Sequence, residues 1–282
     1  MVVVAVVPGR GRVVQTAFDE SERRTWAGRA DAYAASFAKL CAYAVPVLLD
    51  AAGVADGVRV LDVGAGTGTA AAVACERGAK VTAVDAEPGM VARAASAVPE
   101  ADVRLAALPH LPFADDAFDA VVANFVLNHV GRPRDALTEL RRVTRPGGRI
   151  AVTIWALPQA AGQALLGRAV QAAGVTRPAH LPVLAPEDDF LRTEQGFAAL
   201  LGEAGLTDVV CDTLTWDHRT TVEEWWSGAA AGVATIGQIV TSQKPAVIAE
   251  IKDHFESLCA EFAGPGGVLS LPHAALMAHG QA

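Results

Sequence analysis

The segment Leu61–Gly68, LDVGAGTG, constrains this chain most: it joins the apolar run VRVLDV at 58–63 to an Ala-rich stretch from Thr69 to Arg77. An apolar run without polar alternation reads as a strand buried on both faces. Glycines at 64, 66 and 68 permit backbone conformations and a closeness of approach that a Cβ would obstruct. The helix that follows presents N–H groups with no partner of their own. A second strand, KVTAVD at 80–85, and a helix at 88–97 repeat the unit. This is the βαβ start of a doubly wound sheet.

The alternation continues with a strand at 102–106, a proline-containing loop to Asp116, a strand at 118–124, a helix at 134–144 and a fifth strand at 149–155 after Pro146-Gly147-Gly148. Residues 158–193 read as helix and loop, and 194–204 as an amphipathic helix with Phe197, Leu200 and Leu201 on one side. Two further strands, 208–216 and 274–279, bracket a helical insertion carrying Trp225 and Trp226. Ahead of the first strand, Phe37, Leu40, Tyr43 and Val47 recur at helical intervals, which predicts one or two helices over 18–50. The six-residue apolar run at 2–7 reads as an edge strand or an unstructured start. The expected organisation is an N-terminal segment and helical lid at 1–57, a ligand-binding core at 58–156, and the rest of the sheet with helical pocket insertions at 157–282, all in one overall domain.

Charge and cysteine usage narrow the partners. With 23 Lys and Arg against 31 Asp and Glu, the formal charge is −8, and no basic run reverses it locally. Nucleic acid is therefore not an expected partner, because backbone binding needs a concentrated positive footprint. No apolar stretch approaches the roughly 20 residues of a membrane-spanning helix, so a soluble, cytoplasmic protein without a membrane partner is expected. Cys41, Cys75, Cys211 and Cys259 are too scattered for a disulfide framework or a CxxC site. No cluster has metal-ligand spacing, and no metal is expected.

Asp85 ends the second strand 17 residues after Gly68, where a carboxylate can accept hydrogen bonds from both hydroxyls of a ribose. The pairing of glycine turn and acid points to an adenosine. A nicotinamide or flavin site of GxGxxG type remains open, weakened because Thr69 holds the third glycine position and Gly68 falls one place early. A turn serving only the packing of the chain itself also remains open.

The whole set resembles the class I S-adenosylmethionine-dependent methyltransferases, especially their small-molecule branch. The resemblance rests on LDVGAGTG, on Asp85, on LPF at 111–113, on FDAVVANFVLNHV at 118–130 and on LRRVTRPGGRI at 140–150, in that order over residues 58–156. It implies an α/β, Rossmann-like, doubly wound and mostly parallel seven-stranded sheet with an N-terminal helical segment and a helical lid insertion. It also implies S-adenosyl-L-methionine as cofactor and S-adenosyl-L-homocysteine as product. By the same resemblance Asp62, Gly64, Ala65, Gly66 and Gly68 hold the methionine end and sugar, Asp85 the ribose, and Ala86 and Met90 pack on adenine. Such proteins commonly place an aspartate shortly before LPF to accept the adenine amine; that position is Ala107 here, leaving backbone near Ala107 and Leu108, or His110, to serve instead.

Displacement at a sulfonium needs orientation and exclusion of water more than an acid or base, unless the acceptor must lose a proton. Asn124, at the carboxyl end of the fourth strand, is a candidate for the cofactor's amine or the acceptor, or else a turn cap. His129 is the candidate base, or else a packed loop histidine; Asn128 stands where many relatives carry histidine. His218, His254 and His273 have no partner pattern and read as surface or incidental. The resemblance places the acceptor pocket between the N-terminal helices, with Trp26, Arg29, Tyr33 and Phe37, and the later insertions, with Trp155, Trp225 and Trp226. Trp26, Tyr33 and Phe37 are spaced to share one helical face as part of a lid, and core packing explains the same stripe. Trp225 and Trp226 must point differently, so at most one is easily buried in the pocket.

The expected function is methyl transfer to oxygen or nitrogen of a small organic metabolite, of the kind found in bacterial secondary metabolism or quinone-like biosynthesis. The alternatives are a cofactor-binding protein of the same fold that cyclises or rearranges its substrate, and a non-catalytic cofactor-binding protein. A homodimer is compatible with Ala-rich helices at 158–174 and 228–234, which serve equally to fill their own domain.

Overall fold

The computed structural model describes residues 15–282, and the apolar run at 2–7 lies outside them. Seven strands form one sheet: β1 (Arg59–Val63), β2 (Lys80–Asp85), β3 (Asp102–Leu105), β4 (Phe118–Asn124), β5 (Thr144–Trp155), β6 (Thr207–Thr220) and β7 (Leu269–Gln281). Their order is β3-β2-β1-β4-β5-β7-β6. The first five pair in parallel, and β7 runs antiparallel to both its neighbours. The mostly parallel, doubly wound α/β sheet expected from the sequence is thus present.

Alternate residues of the central strands feed two separate cores, as the two-residue repeat of a strand requires. Val121 and Ala123 face α7 (Pro133–Val143) and α9 (Glu194–Glu203), where Leu137, Leu140, Phe197 and Leu201 are buried. Ala120 and Val122 face the opposite layer, with α4 (Val45–Ala51) and α5 (Thr69–Glu76) supplying Leu48, Leu49, Ala71 and Ala74. A further helix, α6 (Pro88–Ala97), follows β2.

Two features differ from the sequence expectation. The segment before β1 is not one or two helices but a series of short ones: α1 (Ala17–Trp26), α2 (Ala30–Ala35) and α3 (Phe37–Cys41) precede α4. Gly28, at φ 70°, breaks the first junction, and Ser36, at ψ −97°, breaks the second. Trp26, Tyr33 and Phe37 therefore sit on three helices rather than sharing one face. The last two strands are also longer than expected. β6 reaches Thr220 and β7 begins at Leu269, whereas β5 pairs with β7 only as far as Trp155↔Ala275. Beyond that point β6 and β7 form a two-stranded ribbon, which explains how Pro272 is tolerated: its nitrogen faces no neighbouring strand on the β5 side.

That ribbon supports a third core. It is built from α8 (Leu165–Ala172), α10 (Val222–Ala230), α11 (Ala234–Thr241) and α12 (Pro245–Cys259), with Leu271, Trp226, Ile251 and Phe255 buried among them. Among the described residues no helix is long and apolar enough to cross a membrane, and no group of three or more His, Cys, Asp or Glu is placed to hold a metal.

Candidate cofactor and acceptor site

A cavity of about 600 Å³ opens over the carboxyl ends of β1, β2, β4 and β5, the rim where open α/β sheets hold ligands. Its walls run from Asp85, Ala86 and Met90, past Gly64 and Gly66, to Trp155, Trp225 and His273.

The glycine-rich turn forms one end. Gly64, Gly66 and Gly68 all have positive φ, at 66°, 55° and 90°. A Cβ on Gly64 would lie 2.4 Å from Val126 Cγ2, so glycine is required there for space as well as for conformation. Asp85 Oδ2 accepts from Gly66 N at 2.8 Å and Oδ1 accepts from Glu87 N at 2.9 Å. Each oxygen keeps a lone pair for a ribose hydroxyl. Burial raises the Asp85 carboxyl above the usual carboxylate range, against the pull of those N–H donors.

Asp62, Ala65, Gly64 and Gly66 line a small recess that adjoins the cavity, together with Thr67, Thr69, Tyr33 and Asn124. Asp62 is 1% exposed, and its Oδ2 has no hydrogen-bond partner in the protein. Burial, and secondarily the neighbouring Asp85, push it up to about 7. An orphaned buried carboxylate oxygen beside Asp85 suits the ammonium of a methionine moiety, and by this test the residues fit S-adenosylmethionine. Gly68 contributes from behind, capping α5 where it packs against Ala94 and Val98.

On the adenine side Met90, Ala107 and Leu108 line the cavity. No carboxylate takes the place of the usual aspartate. His110 does not compensate, since it is exposed, lies off the cavity wall and donates its backbone N–H to Ala107 O at 3.1 Å. Asn124 sits at the junction with both ends of its amide engaged: Nδ2 donates to Cys41 O at 3.0 Å, and Oδ1 accepts from Thr153 Oγ1 at 2.7 Å. Thr153 Oγ1 in turn accepts from Phe125 N at 2.8 Å. Phe125 has a φ of 60°, a costly conformation for an aromatic residue. The threonine bond secures it, and its ring stacks on Trp155 at 4.0 Å between centroids.

Aromatic rings from the early and late parts of the chain line the other end. Trp26 packs edge-on against Tyr33 and His129, with centroids 5.4 and 5.1 Å apart, and Phe37 against Trp225 at 5.0 Å. Tyr33 pairs with the Cys41 thiol, and burial holds its phenol well above the ordinary value. Of the two adjacent tryptophans only Trp225 lines the cavity; Trp226 packs on Phe255 in the helical core. Two other candidates lie elsewhere. Arg29 donates to the carbonyls of Arg24 and Ala27 and faces Gly232, and Asn128 donates to Phe125 O within its own turn.

His129 lines the cavity and meets a partner that the sequence did not disclose: its Nδ1 lies 2.8 Å from Glu22 Oε2. Glu22 is 7% exposed and also accepts from Trp26 Nε1 at 3.2 Å. A carboxylate can only accept, so a proton on Nδ1 points at Glu22 and Nε2 is the ring nitrogen left without that partner. Glu22 was overlooked because it reads as one more surface acid of α1. Its four-residue offset from Trp26 was the available signal.

His218 and His273 correct the reading of them as surface or incidental, since each is 2% exposed. They lie on the ribbon extension that the sequence placed outside the strands, among Trp155, Trp216 and Trp225. Burial lowers both imidazoles, His273 to about 4.

Comparison with known proteins bears on the family and the fold. A family profile described as a methyltransferase domain matches residues 61–152. A protein of Beutenbergia cavernae named demethylmenaquinone methyltransferase is 39% identical over 176 residues, which are 59% of this chain and 73% of that one. A protein of the same name from Renibacterium salmoninarum is 41% identical over 112 residues, 40% of this chain and 47% of that protein, so the match spans about half its length. Among solved structures, the YcgJ protein of Bacillus subtilis superposes with a TM-score of 0.53 at 19% identity, covering 85% of this chain and 97% of that one. A Haemonchus contortus phosphoethanolamine N-methyltransferase in complex with S-adenosyl-L-methionine gives 0.53 at 16% identity, covering 85% and 52%. These two share the fold. Sequence identity across nearly three quarters of the Beutenbergia protein goes further, and on it the chain belongs to the class I S-adenosylmethionine-dependent methyltransferases.

Proposed function

We propose that this protein transfers a methyl group from S-adenosylmethionine to an oxygen or nitrogen of a small, apolar-bodied organic metabolite. The observation that carries this reading is the continuity of one cavity, from the Asp85 and glycine-turn end to a wall of Trp26, Phe37, Phe125, Trp155 and Trp225. A largely aromatic wall favours a flat or lipophilic acceptor. The relatives' name, demethylmenaquinone methyltransferase, makes a quinol-like ring a specific candidate, with a ring carbon rather than an oxygen or nitrogen as the methylated atom in that case, and a product of secondary metabolism is a second.

When bound, S-adenosylmethionine supplies an electrophilic methyl on a good leaving group. The remaining work falls to the chain. Asp85 and Asp62 hold the two polar ends of the cofactor, and the aromatic wall orients the acceptor and excludes water. His129 Nε2 takes the proton that an acceptor hydroxyl or N–H releases as its bond to the methyl carbon forms, and Glu22 holds the imidazole in the tautomer that can accept it.

Calorimetric titration with S-adenosylmethionine and S-adenosylhomocysteine, with NAD as control, tests the cofactor end. Saturable binding of both sulfur ligands, weakened at least about tenfold by Asp85→Ala, is expected. A folded protein that binds neither would overturn the reading. Release of S-adenosylhomocysteine, mole for mole with a methylated quinol, phenol or amine, then separates methyl transfer from a cyclisation or a purely binding role.

A further inference from the structure

Three residues that the proton-transfer pair does not use line the inner part of the cavity and each carries a buried polar atom. His273 Nε2, Gln163 Oε1 and Trp225 Nε1 have no hydrogen-bond partner in the protein, and all three residues line the cavity. Trp216 Nε1 and His218 Nδ1, in the same aromatic cluster, are likewise unpaired. Buried polar groups are nearly always satisfied, so such a concentration in one place needs a partner from outside the chain.

The local fold holds these atoms in place. His273 Nδ1 lies 2.8 Å from Leu271 O, and a carbonyl can only accept, so the ring proton sits on Nδ1 and Nε2 keeps its lone pair. Gly162 and Gln163 both donate their backbone N–H groups to Pro272 O, at 3.1 and 3.2 Å. A Cβ on Gly162 would come within 2.6 Å of the Leu271 backbone, so only glycine brings this loop close enough to set Gln163 beside His273. Burial keeps the imidazole neutral at ordinary pH, at about 4. Among the described residues that line the cavity, Arg23 supplies the one guanidinium or ammonium group, and it lies on α1 and not on this wall.

We propose that His273 Nε2, with Gln163 and Trp225, binds a neutral hydroxyl of the acceptor other than the group that is methylated, making the substrate class an uncharged, apolar-bodied alcohol or phenol with oxygens at two ends. The proposal rests on the methyl-acceptor reading of the cavity. β7, which carries His273, is separated from β4, whose following loop carries His129, by β5 alone. Two strand spacings, roughly 10 Å, separate β7 from β4, which suits a compound of more than one ring. A carboxylate at the inner wall would meet a lone pair and no cation, so anionic substrates are selected against.

The test uses the full chain saturated with S-adenosylhomocysteine, and measures binding of 2-naphthol and 2-methoxynaphthalene by equilibrium dialysis. Wild-type protein is expected to prefer the naphthol by at least about tenfold. His273→Phe keeps the ring and removes the acceptor atom, and it is expected to abolish most of that preference. Gln163→Leu, on a half-buried loop residue, reduces it, and Glu22→Gln leaves it intact. Equal binding of the two probes by wild type, a preference retained in both His273→Phe and Gln163→Leu, or a preference lost only in Glu22→Gln would each overturn the proposal. The calorimetric S-adenosylhomocysteine titration separates the two levels: its failure removes the methyltransferase reading itself, whereas normal binding without a hydroxyl preference removes this inference alone.

Discussion

Glu22 Oε2 and His129 Nδ1, 107 residues apart in sequence, meet at 2.8 Å on the cavity wall. The contact joins α1 to the loop after β4 and holds the Nδ1 side of the His129 ring against a carboxylate, the arrangement that the proposed proton transfer through Nε2 requires. Glu22→Gln keeps the shape while removing the charge that holds the imidazole. With a hydroxyl or phenol acceptor, kcat is expected to fall by about 10- to 100-fold, with little change in KM or in S-adenosylhomocysteine affinity. An unchanged kcat and pH profile would show that proton removal does not pass through His129.

Asp62 predicts a pH effect with a definite sign. Its folded value of about 7 lies above the roughly 3.9 of an unfolded chain. The folded state therefore binds the proton more tightly, and the stability Asp62 contributes is present below pH about 4 and lost as pH rises to about 7, on the order of 1–4 kcal/mol. Asp85, also raised, acts in the same direction. His273, lowered to about 4, has the opposite slope: its contribution is present above about 6.5 and lost as pH falls toward 4. Urea unfolding of wild type against Asp62→Asn at pH 5 and pH 8 isolates the carboxyl. The variant gains stability relative to wild type at the higher pH, and a constant difference would contradict the assignment.

On the proposed role of Asp62, the same carboxyl sets the pH dependence of cofactor affinity. An ammonium binds the ionised form, so S-adenosylmethionine affinity is expected to rise roughly tenfold per pH unit below about 7 and to level off above it. Isothermal titration across that range is the check, and Asp62→Asn should flatten the profile.

Thr153 is fully buried and serves two partners at once. Thr153→Val preserves its shape but leaves Phe125 N without its acceptor and Asn124 Oδ1 without its donor. Thermal or chemical denaturation should register a loss of about 1–3 kcal/mol. Because the freed backbone belongs to the positive-φ Phe125, the aromatic end of the cavity is expected to loosen, with acceptor KM rising more than cofactor Kd.

Gly64→Ala should destabilise by about 1–3 kcal/mol, since it adds a methyl at positive φ against Val126. Gly28 has the same sign of φ and nothing within 4 Å of a built Cβ. Gly28→Ala is therefore the matched control, and a smaller cost there separates steric from conformational loss. Val126→Ala in the Gly64→Ala background should recover part of the difference.

The first five strands and the glycine turn were legible because both are local signals: apolar runs buried on two faces and glycines at positive φ. Asp85 was pointed out by its position at a strand end, and Asp62 by the resemblance of LDVGAGTG to the family's cofactor turn. What the sequence hid depends on chain segments meeting across the fold. His218 and His273 looked incidental because the ribbon carrying them lies past the end of β5 and includes Pro272, which argues against strand when read alone. Trp26, Tyr33 and Phe37 do line the cavity, but not from one helical face, since breaks at Gly28 and Ser36 divide them among three helices. Arg29 was misplaced because a guanidinium that caps local carbonyls cannot be told from one awaiting a ligand.

Helix α1 is tied at both ends to the rim it crosses. Gly28 N, just past its carboxyl end, donates to Glu87 Oε1 at 3.2 Å beside the ribose acid, and Asp19 Oδ1, in its first turn, accepts from Gly131 N at 2.7 Å beside His129. Glu22 lies between these anchors. A displacement of α1 large enough to uncover the cavity therefore withdraws Glu22 from His129 at the same moment. With His129 as the proposed base, this amounts to an interlock: the imidazole keeps its Glu22 partner only while the helix is seated, so bulk water and a fully assembled base would not share the cavity.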